Sequence, residues 1–211
     1  MSIETSLLPE MIAAMEQIIN DNAEQVTALD QEIGDGDHVY NLQRGFEALR
    51  KKQDELVGLD WPSAWQKMGM IVMSTIGGAS GSLYGSFLVT MAKTAKGKEV
   101  DAAVFAEAFM AGVESIKKRG RADVGEKTML DVLVPVAETL QKGVAQQLDL
   151  KTLLAEINAV AEQGVEATRD MIATKGRASF LGERSKGHID AGAQTAQLMI
   201  KAVSKVIEQS V

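Results

Sequence analysis

Cysteine is absent from the chain, which excludes disulfide bonds, thiolate metal sites and a thiol nucleophile. Aromatic residues make up only 4% of the 211 residues and prolines number 3, whereas aliphatic side chains and 11 methionines are plentiful. Such a composition favours helices packed through aliphatic side chains over a sandwich or barrel of strands. The sequence therefore predicts an all-α fold, and its length fits a single domain spanning residues 1–211.

Positive charge is also scarce, since the formal net charge is -7 and the sequence pI is about 5.0. No basic patch is interleaved with aromatic residues, so we expect no nucleic-acid partner. The longest apolar run, at 68–79, is too short for a bilayer and is interrupted by Gly69, Ser74 and Gly77. The first residues lack the basic and then apolar pattern of a signal peptide. We therefore expect a cytoplasmic protein without membrane contact.

Apolar residues recur at the spacing of one helix face along most of the chain, for example at Leu7, Met11, Ile12, Met15 and Ile19. The pattern predicts eight helices, at roughly 5–28, 40–56, 62–76, 81–96, 101–119, 127–143, 149–175 and 190–209. Four glycine-rich polar stretches lie between helices, at 30–41, 77–82, 120–128 and 176–192. If neighbouring helices run antiparallel, all four stretches emerge at the same end. We therefore predict one composite site at that end.

The first polar stretch contains three aspartates around two glycines, Asp30, Asp35 and Asp37 in LDQEIGDGDHVYN. Carboxylates this close repel one another unless a cation binds them, and their hard oxygens suit Mg²⁺ or Ca²⁺. A solvated turn is the alternative, since Asp and Gly are common in turns. An EF-hand register begun at Asp35 places Phe46 where the closing glutamate belongs, which argues against that calcium loop. Mg²⁺ usually completes its coordination with water and phosphate, so the cluster predicts a phosphate-bearing ligand.

Two further stretches differ in how well they fit a phosphate site. GGASGS at 77–82 opens a predicted helix, where unpaired N–H groups attract anions and Ser80 is able to bind a phosphate oxygen. An ordinary N-cap and turn is the alternative there. The stretch at 120–128 is not a P-loop, because Glu126 separates the second glycine from Lys127. In that stretch we predict that Thr128 caps the next helix and that Met129 lies against a ligand ring.

The last stretch, KGRASFLGERSKGHIDAG, concentrates positive charge in an otherwise acidic chain. Arg177, Arg184, Lys186 and His188 precede Asp190, and cations beside a carboxylate site are able to neutralise developing phosphoryl charge. The alternative is a solvated loop held by salt bridges. Its length and its glycines favour a functional lid.

Four segments together closely resemble the nucleotide-binding L subunits of bacterial dihydroxyacetone kinases: LDQEIGDGDHVYNLQRG, IGGASGSLYG, KRGRADVGEKTMLDVLVP and KGRASFLGERSKGHIDAG. The resemblance implies a barrel of eight antiparallel helices whose rim loops bind ADP through Mg²⁺. It implies that Asp30, Asp35 and Asp37 ligate two Mg²⁺ ions. Nucleotide contacts are expected from residues at matching positions: His38, Asn41, Ala79, Ser80, Gly120, Met129, Arg177, Asp190 and Gly192. Thr128, beside Met129, is a further candidate.

The resemblance also implies a division of labour between subunits. A separate K subunit would hold dihydroxyacetone, and a phosphohistidine protein of the sugar phosphotransferase pathway would recharge a tightly bound ADP to ATP. Arg177 is the candidate catalytic residue, and a transcriptional regulator is a further candidate partner. Two alternatives stay open, a subunit of an ATP-dependent kinase for dihydroxyacetone or another short ketose, and a regulatory module that senses the nucleotide state. Val39, Tyr40, Ser82 and Ala191 depart from the usual pattern of the family, which leaves the sugar and the partner open.

Overall fold

The computed structural model describes residues 4–210, so the first three residues and the last residue of the predicted domain lie outside the described range. Within this range the regular structure is helical, with no strand, which confirms the all-α prediction. The helices are α1 (Leu8–Asp21), α2 (Ala23–Ile33), α3 (His38–Lys51), α4 (Trp61–Thr75), α5 (Gly78–Ala95), α6 (Ala102–Gly120), α7 (Leu130–Ala145), α8 (Leu150–Ala167) and α9 (Ala191–Gln209). Short 3-10 segments occupy Thr5–Leu7, Gln53–Glu55, Thr168–Asp170 and Arg177–Ser185.

The first predicted helix is in fact two helices, so the described residues form nine α-helices rather than eight. The break is at Asn22, whose backbone (φ -108°, ψ 13°) leaves the helical region and whose side-chain amide donates to the Ile18 carbonyl at 2.7 Å. An asparagine that bonds to its own helix in this way competes with the main-chain ladder. Because α2 continues to Ile33, Asp30 lies in a helix and not in the predicted loop.

Other boundaries also differ from the prediction, including the end of α3, which lies at Lys51 rather than near 56. Helix α5 begins at Gly78, so most of the predicted loop at 77–82 is its first turn. Helix α7 begins at Leu130 rather than near 127, because Lys127 has a left-handed backbone (φ 61°) that a helix excludes. Helix α8 ends at Ala167, and the chain becomes extended at Met171 after a 3-10 turn.

The helices pack in an order that returns to its starting point. Helix α1 contacts α3, each helix from α3 to α8 contacts the next, and α9 packs against both α8 and α1. Close approach of α4 to α5 depends on Gly69, where a Cβ would lie 3.0 Å from the Gly85 carbonyl oxygen. No helix in the described part of the chain is both long and apolar enough to cross a bilayer. The barrel form and the single domain stay predictions.

Helix capping is regular at one end of the bundle and mixed at the other. Because helices α3 to α8 are joined by short connections and pack as neighbours, they alternate in direction. Helices α4, α6 and α8 begin at one end, and an aspartate side chain caps each of them: Asp60, Asp101 and Asp149 accept from main-chain N–H groups at 2.8 to 3.0 Å. Helices α3 and α5 begin at the opposite end, where their N-cap residues, Asp37 and Gly77, make no side-chain cap bond. The first N–H groups of α5 therefore have no side-chain acceptor, whereas the His38 N–H of α3 is bonded to Asp30 and α9, at the same end, is capped by Asp190.

Candidate metal and phosphate site

The structure brings the three predicted aspartates together. Asp30 lies in the last turn of α2, Asp35 in the connection and Asp37 at the N-cap of α3, and one carboxylate oxygen from each lies within 4.8 Å of the others. Within residues 4–210 no other group of histidine, aspartate or glutamate side chains is arranged in this way. Three hard oxygens on a partly open surface fit Mg²⁺, which keeps further positions for water and phosphate.

The turn after α2 holds Asp30 in place. The Asp30 carbonyl accepts from the Gly34 N–H at 2.5 Å, and Asp30 Oδ2 accepts from the His38 N–H at 3.1 Å. A Cβ at Gly34 would lie 2.7 Å from the Asp30 carbonyl oxygen and still closer to Oδ1, so the turn requires glycine. Gly36 has a φ of 76°, which also favours glycine. The two glycines thus fold the chain back so that α2 and α3 both present carboxylates.

His38 connects three helices through its ring. Thr195 Oγ1 lies 2.8 Å from His38 Nε2 and donates its own proton to the Gly192 carbonyl at 3.1 Å. A hydroxyl has only one proton, so Nε2 is the donor to Thr195 and Nδ1 accepts from Ser80 Oγ at 3.4 Å. Burial lowers the pKa of His38, although the aspartates nearby oppose this effect. The geometry assigns His38 a neutral, Nε2-protonated ring that fixes the start of α3 against α5 and α9.

Asp190 begins α9 and is buried more deeply than a usual helix cap. Its Oδ2 accepts from the Ala193 N–H at 2.7 Å, and its own N–H donates to Thr168 Oγ1 at 3.0 Å. Burial raises the pKa of Asp190 to about 7, partly offset by the cap bond and by the positive charge of Lys127. The buried hydroxyl of Tyr84 lies near Thr195 and Asp190, without the geometry of a good hydrogen bond. A carboxyl that titrates near neutrality therefore lies beside the candidate site.

The polar stretch before α9 reaches back to the aspartates. Arg177 Nε forms an ion pair with Asp35 Oδ2 at 2.6 Å, and His188 Nδ1 donates to Glu32 Oε2 at 2.6 Å. Lys175 instead pairs with Glu126 at 3.2 Å. The salt bridges expected of a solvated loop, the alternative interpretation of this stretch, are thus present. One of them places the predicted catalytic residue, Arg177, on a predicted metal ligand, Asp35.

The other candidate residues lie around the same end. Asn41 is buried in the first turn of α3 beside Gly77, while Ala79 and Ser80 lie in the first turn of α5. A Cβ at Gly192 would lie 3.7 Å from the Met129 N atom, so the starts of α7 and α9 are adjacent. Gly120 is the last residue of α6.

Thr128 is not the N-cap of α7, because that position belongs to Met129. Its hydroxyl nevertheless accepts from the Leu130 N–H at 3.1 Å, and its own N–H donates to the buried Asp131 carboxylate at 2.7 Å. The predicted residue therefore does bond to a first-turn N–H, but from one position before the N-cap of α7.

Sequence reasoning missed three buried polar groups that support the site: Thr195, Asp131 and Lys127. The available signals were weak. Thr195 interrupts a run of alanines on a buried face of α9, and Asp131 follows Thr128 at the spacing of a helix-start motif.

Comparison with known proteins agrees with this arrangement, since residues 32–205 match the DAK2 domain. The chain belongs to the DAK2 domain family. It is 40% identical over 185 residues to the "PEP-dependent dihydroxyacetone kinase 1, ADP-binding subunit DhaL" of Listeria innocua, covering 88% of each chain. It is 35% identical over 205 residues to the "PEP-dependent dihydroxyacetone kinase, ADP-binding subunit DhaL" of Escherichia coli, covering 97% of this chain and 98% of the relative. The resemblance seen in the four segments is confirmed at the level of the family.

The fold is also that of a solved kinase. The crystal structure of the dihydroxyacetone kinase from C. freundii in complex with AMP-PNP and Mg²⁺ aligns with a TM-score of 0.72 and 24% identity. The alignment covers 97% of this chain and 34% of that chain, so the present chain corresponds to about a third of the longer kinase. At this identity the alignment establishes the helical fold of this DAK2 family member.

Proposed function

We propose that this DAK2 family member is the nucleotide-carrying subunit of a multicomponent dihydroxyacetone kinase. The observation that carries the proposal is the convergence of three carboxylates, Arg177 and the first turns of α3 and α5 at one end of the bundle. Relatives that align over nearly the whole chain are named ADP-binding subunits of dihydroxyacetone kinases, which gives the ligand its chemical class.

The nucleotide would bind as ADP or ATP through two Mg²⁺ ions. Asp30, Asp35 and Asp37 would ligate the metals, whose role when bound is to neutralise and align phosphate oxygens. The first N–H groups of α5, which follow Gly77, offer donors to the phosphates. The remaining rim of the nucleotide site would be lined by Asn41, Ala79, Ser80, Gly120, Thr128, Met129, Asp190 and Gly192. His38 orients the starts of three helices.

Phosphoryl transfer depends chiefly on position and charge neutralisation, which this set of side chains is able to provide. The γ-phosphorus to oxygen bond of ATP would break as a bond to a triose hydroxyl forms, and the hydroxyl proton would leave with a base outside this chain. Arg177 is the candidate catalytic residue, because its guanidinium already lies at the metal ligands. His38 is neutral and bonded on both nitrogens, so it would hold structure rather than move a proton.

Partner subunits would approach the same end of the bundle, in the cytoplasm. Phe180, in the 3-10 segment of the lid stretch, is 87% exposed, and Tyr40, in the first turn of α3, is 63% exposed. Large exposed apolar side chains beside a site mark contact surfaces. We propose that a triose-holding K subunit contacts them, and that a phosphohistidine protein recharges the bound ADP. A transcriptional regulator is a further candidate for this surface.

The deciding experiment is the nucleotide content of the purified protein before and after EDTA. About one ADP per chain that EDTA releases would support the proposal. The Asp35→Ala variant should contain no nucleotide when it is purified. Asp54→Ala is the matched control, because Asp54 is an exposed aspartate outside the site, and it should keep the nucleotide. Absence of nucleotide under any Mg²⁺ condition would contradict the proposal.

The role of Arg177 is tested separately. Arg177→Ala should keep the nucleotide but lose turnover when mixed with a K subunit, dihydroxyacetone and a phosphohistidine donor, whereas Arg184→Ala should keep both. Loss of the nucleotide as well would assign Arg177 to binding. Turnover with free ATP in the same mixture would favour the ATP-dependent kinase, and binding without turnover would favour the regulatory module.

A further inference from the structure

Lys127 is a buried cation to which the proposed function gives no task. Its side chain is 1% exposed, and it lies in the connection between α6 and α7 with a left-handed backbone (φ 61°). Lysine is almost never buried to this degree unless it is paired. Burial lowers the pKa of Lys127, and Asp190 and Asp131 oppose that effect. A charge buried this deeply indicates that the ammonium group has a specific structural role.

The ammonium group joins two segments that are distant in sequence. Its Nζ donates short hydrogen bonds to the main-chain carbonyls of Thr168, just after α8, and of His188, just before α9. Thr168 in turn accepts from the Asp190 N–H through its hydroxyl at 3.0 Å. One charge thus holds three segments together: the end of α8, the connection that leads into α7 and the connection that leads into α9.

The held segments carry candidate nucleotide contacts. Met129 follows Lys127 by two residues and lies against Gly192, while Asp190 follows His188 by two residues. The side chain of His188 is held on its other side by Glu32 in α2. Movement at His188 would therefore displace Asp190 and Gly192 relative to Met129 and to the aspartate cluster.

We propose that Lys127 is a positioning residue, whose ammonium sets the nucleotide-binding edge formed by Met129, Asp190 and Gly192 by holding the carbonyls of Thr168 and His188. This inference rests on the proposed function. Lys127 acts through the main chain and does not touch the metal ligands, which are held by the turn at Gly34 and by His38. Its loss should therefore weaken nucleotide binding more than metal binding.

Lys127→Met keeps the length of the side chain and removes the charge and the donors. Because hydrogen bonds to charged groups are strong, we expect the ADP dissociation constant to rise about ten- to hundredfold. We expect Mn²⁺ affinity without nucleotide, measured by electron paramagnetic resonance, to stay within about twofold. Val136→Ala, a core change in α7, is the control for general destabilisation and should lower the melting temperature with little change in ADP affinity.

Chemical rescue provides the second test, since the chain has no cysteine of its own. Lys127→Cys can be alkylated with bromoethylamine in denaturant and refolded, which restores an ammonium group at nearly the original length. Recovery of ADP affinity with this reagent, but not with iodoacetamide, would support the proposal. Failure of the rescue, with wild-type protein refolding normally through the same steps, would overturn it.

Other outcomes also decide the question. Wild-type ADP affinity in folded Lys127→Met would overturn the inference, as would parallel losses of ADP and Mn²⁺ affinity. If Lys127→Met does not fold, Lys127→Gln replaces it, and wild-type ADP affinity there would overturn the inference too. Failure of both variants to fold with saturating ADP would show that Lys127 holds the whole fold rather than this edge. A wild-type protein without ADP affinity would instead contradict the proposed function itself.

Discussion

Replacement of Asp190 by asparagine should make the stability of the metal-free protein less dependent on pH. Asparagine caps helices as well as aspartate does, so Asp190→Asn should keep the bond to the Ala193 N–H and remove only the charge. In the folded protein, burial raises the pKa of Asp190 to about 7 from the ordinary value of 3.8. Lys127 attracts the ionised carboxylate, whereas Asp131 and Asp30 repel it.

The sign and the size of the effect follow from the two pKa values. Because the folded pKa is raised, the contribution of Asp190 to stability is complete below pH 4 and is lost as the pH rises through 7. At ~1.36 kcal/mol for each pH unit between the two values, the loss from pH 4.5 to pH 7.5 is about 3 kcal/mol. The variant has no such loss, so its free energy of unfolding relative to wild type should rise by about that amount over the same range.

Urea unfolding with EDTA and without nucleotide, at pH 4.5, 6.0 and 7.5, measures the difference. Asp149→Asn is the matched control, because Asp149 caps α8 but is fully exposed and has a pKa below its ordinary value. Its difference from wild type should change in the opposite direction, with the variant becoming relatively less stable as the pH rises through the ordinary aspartate range. A difference for Asp190→Asn that stays constant with pH would refute the reasoning, since it would mean that Lys127 fully offsets burial.

Three further predictions concern the rest of the site. Gly34→Ala forces a Cβ against Asp30 and should cost about 1–3 kcal/mol of overpacking, with Mn²⁺ affinity reduced at least about tenfold in a titration; unchanged affinity would separate this turn from metal binding. Thr195→Val leaves the His38 Nε2–H without its acceptor and should lower the free energy of unfolding by about 1–3 kcal/mol, while Thr195→Ser restores it. Equal stability of the valine and serine variants would contradict a stabilising hydrogen bond between Thr195 and His38. Phe180→Ser should keep the nucleotide but weaken binding to a K subunit about tenfold in calorimetry; full affinity would place the contact elsewhere.

The all-α fold class was predictable because apolar residues repeat at helical spacing over most of the chain. The aspartate cluster was predictable because its three members lie within eight residues. The break between α1 and α2 was not predictable, since apolar residues continue on both sides of Asn22. It is visible only in the non-helical backbone of Asn22 and in its side-chain bond to the Ile18 carbonyl. Helix α5 began earlier than predicted because its first turn is built from glycine, alanine and serine, which carry no apolar periodicity.

The contacts of His38 and Lys127 that support the site could not be predicted from local sequence patterns. His38 and Thr195 meet across 157 positions of sequence, and Lys127 reaches His188 across 61. In the sequence Lys127 stands in a stretch that fails the P-loop pattern, and a lysine between Glu126 and Thr128 is typical of the protein surface. Nothing in the linear sequence indicates that two carbonyls surround its ammonium group.

The uneven capping of the bundle has a consequence for local unfolding. First turns of α4, α6 and α8 are closed by Asp60, Asp101 and Asp149, so their amide hydrogens should exchange slowly whether or not a ligand is bound. The first turn of α5 has no such side-chain acceptor, so its amide hydrogens should exchange rapidly until phosphate oxygens arrive, whereas the His38 N–H of α3 is bonded to Asp30 and α9 is capped by Asp190. The nucleotide would then complete the secondary structure of α5, and its departure would loosen the first turn of that helix while the capped helix starts stayed rigid.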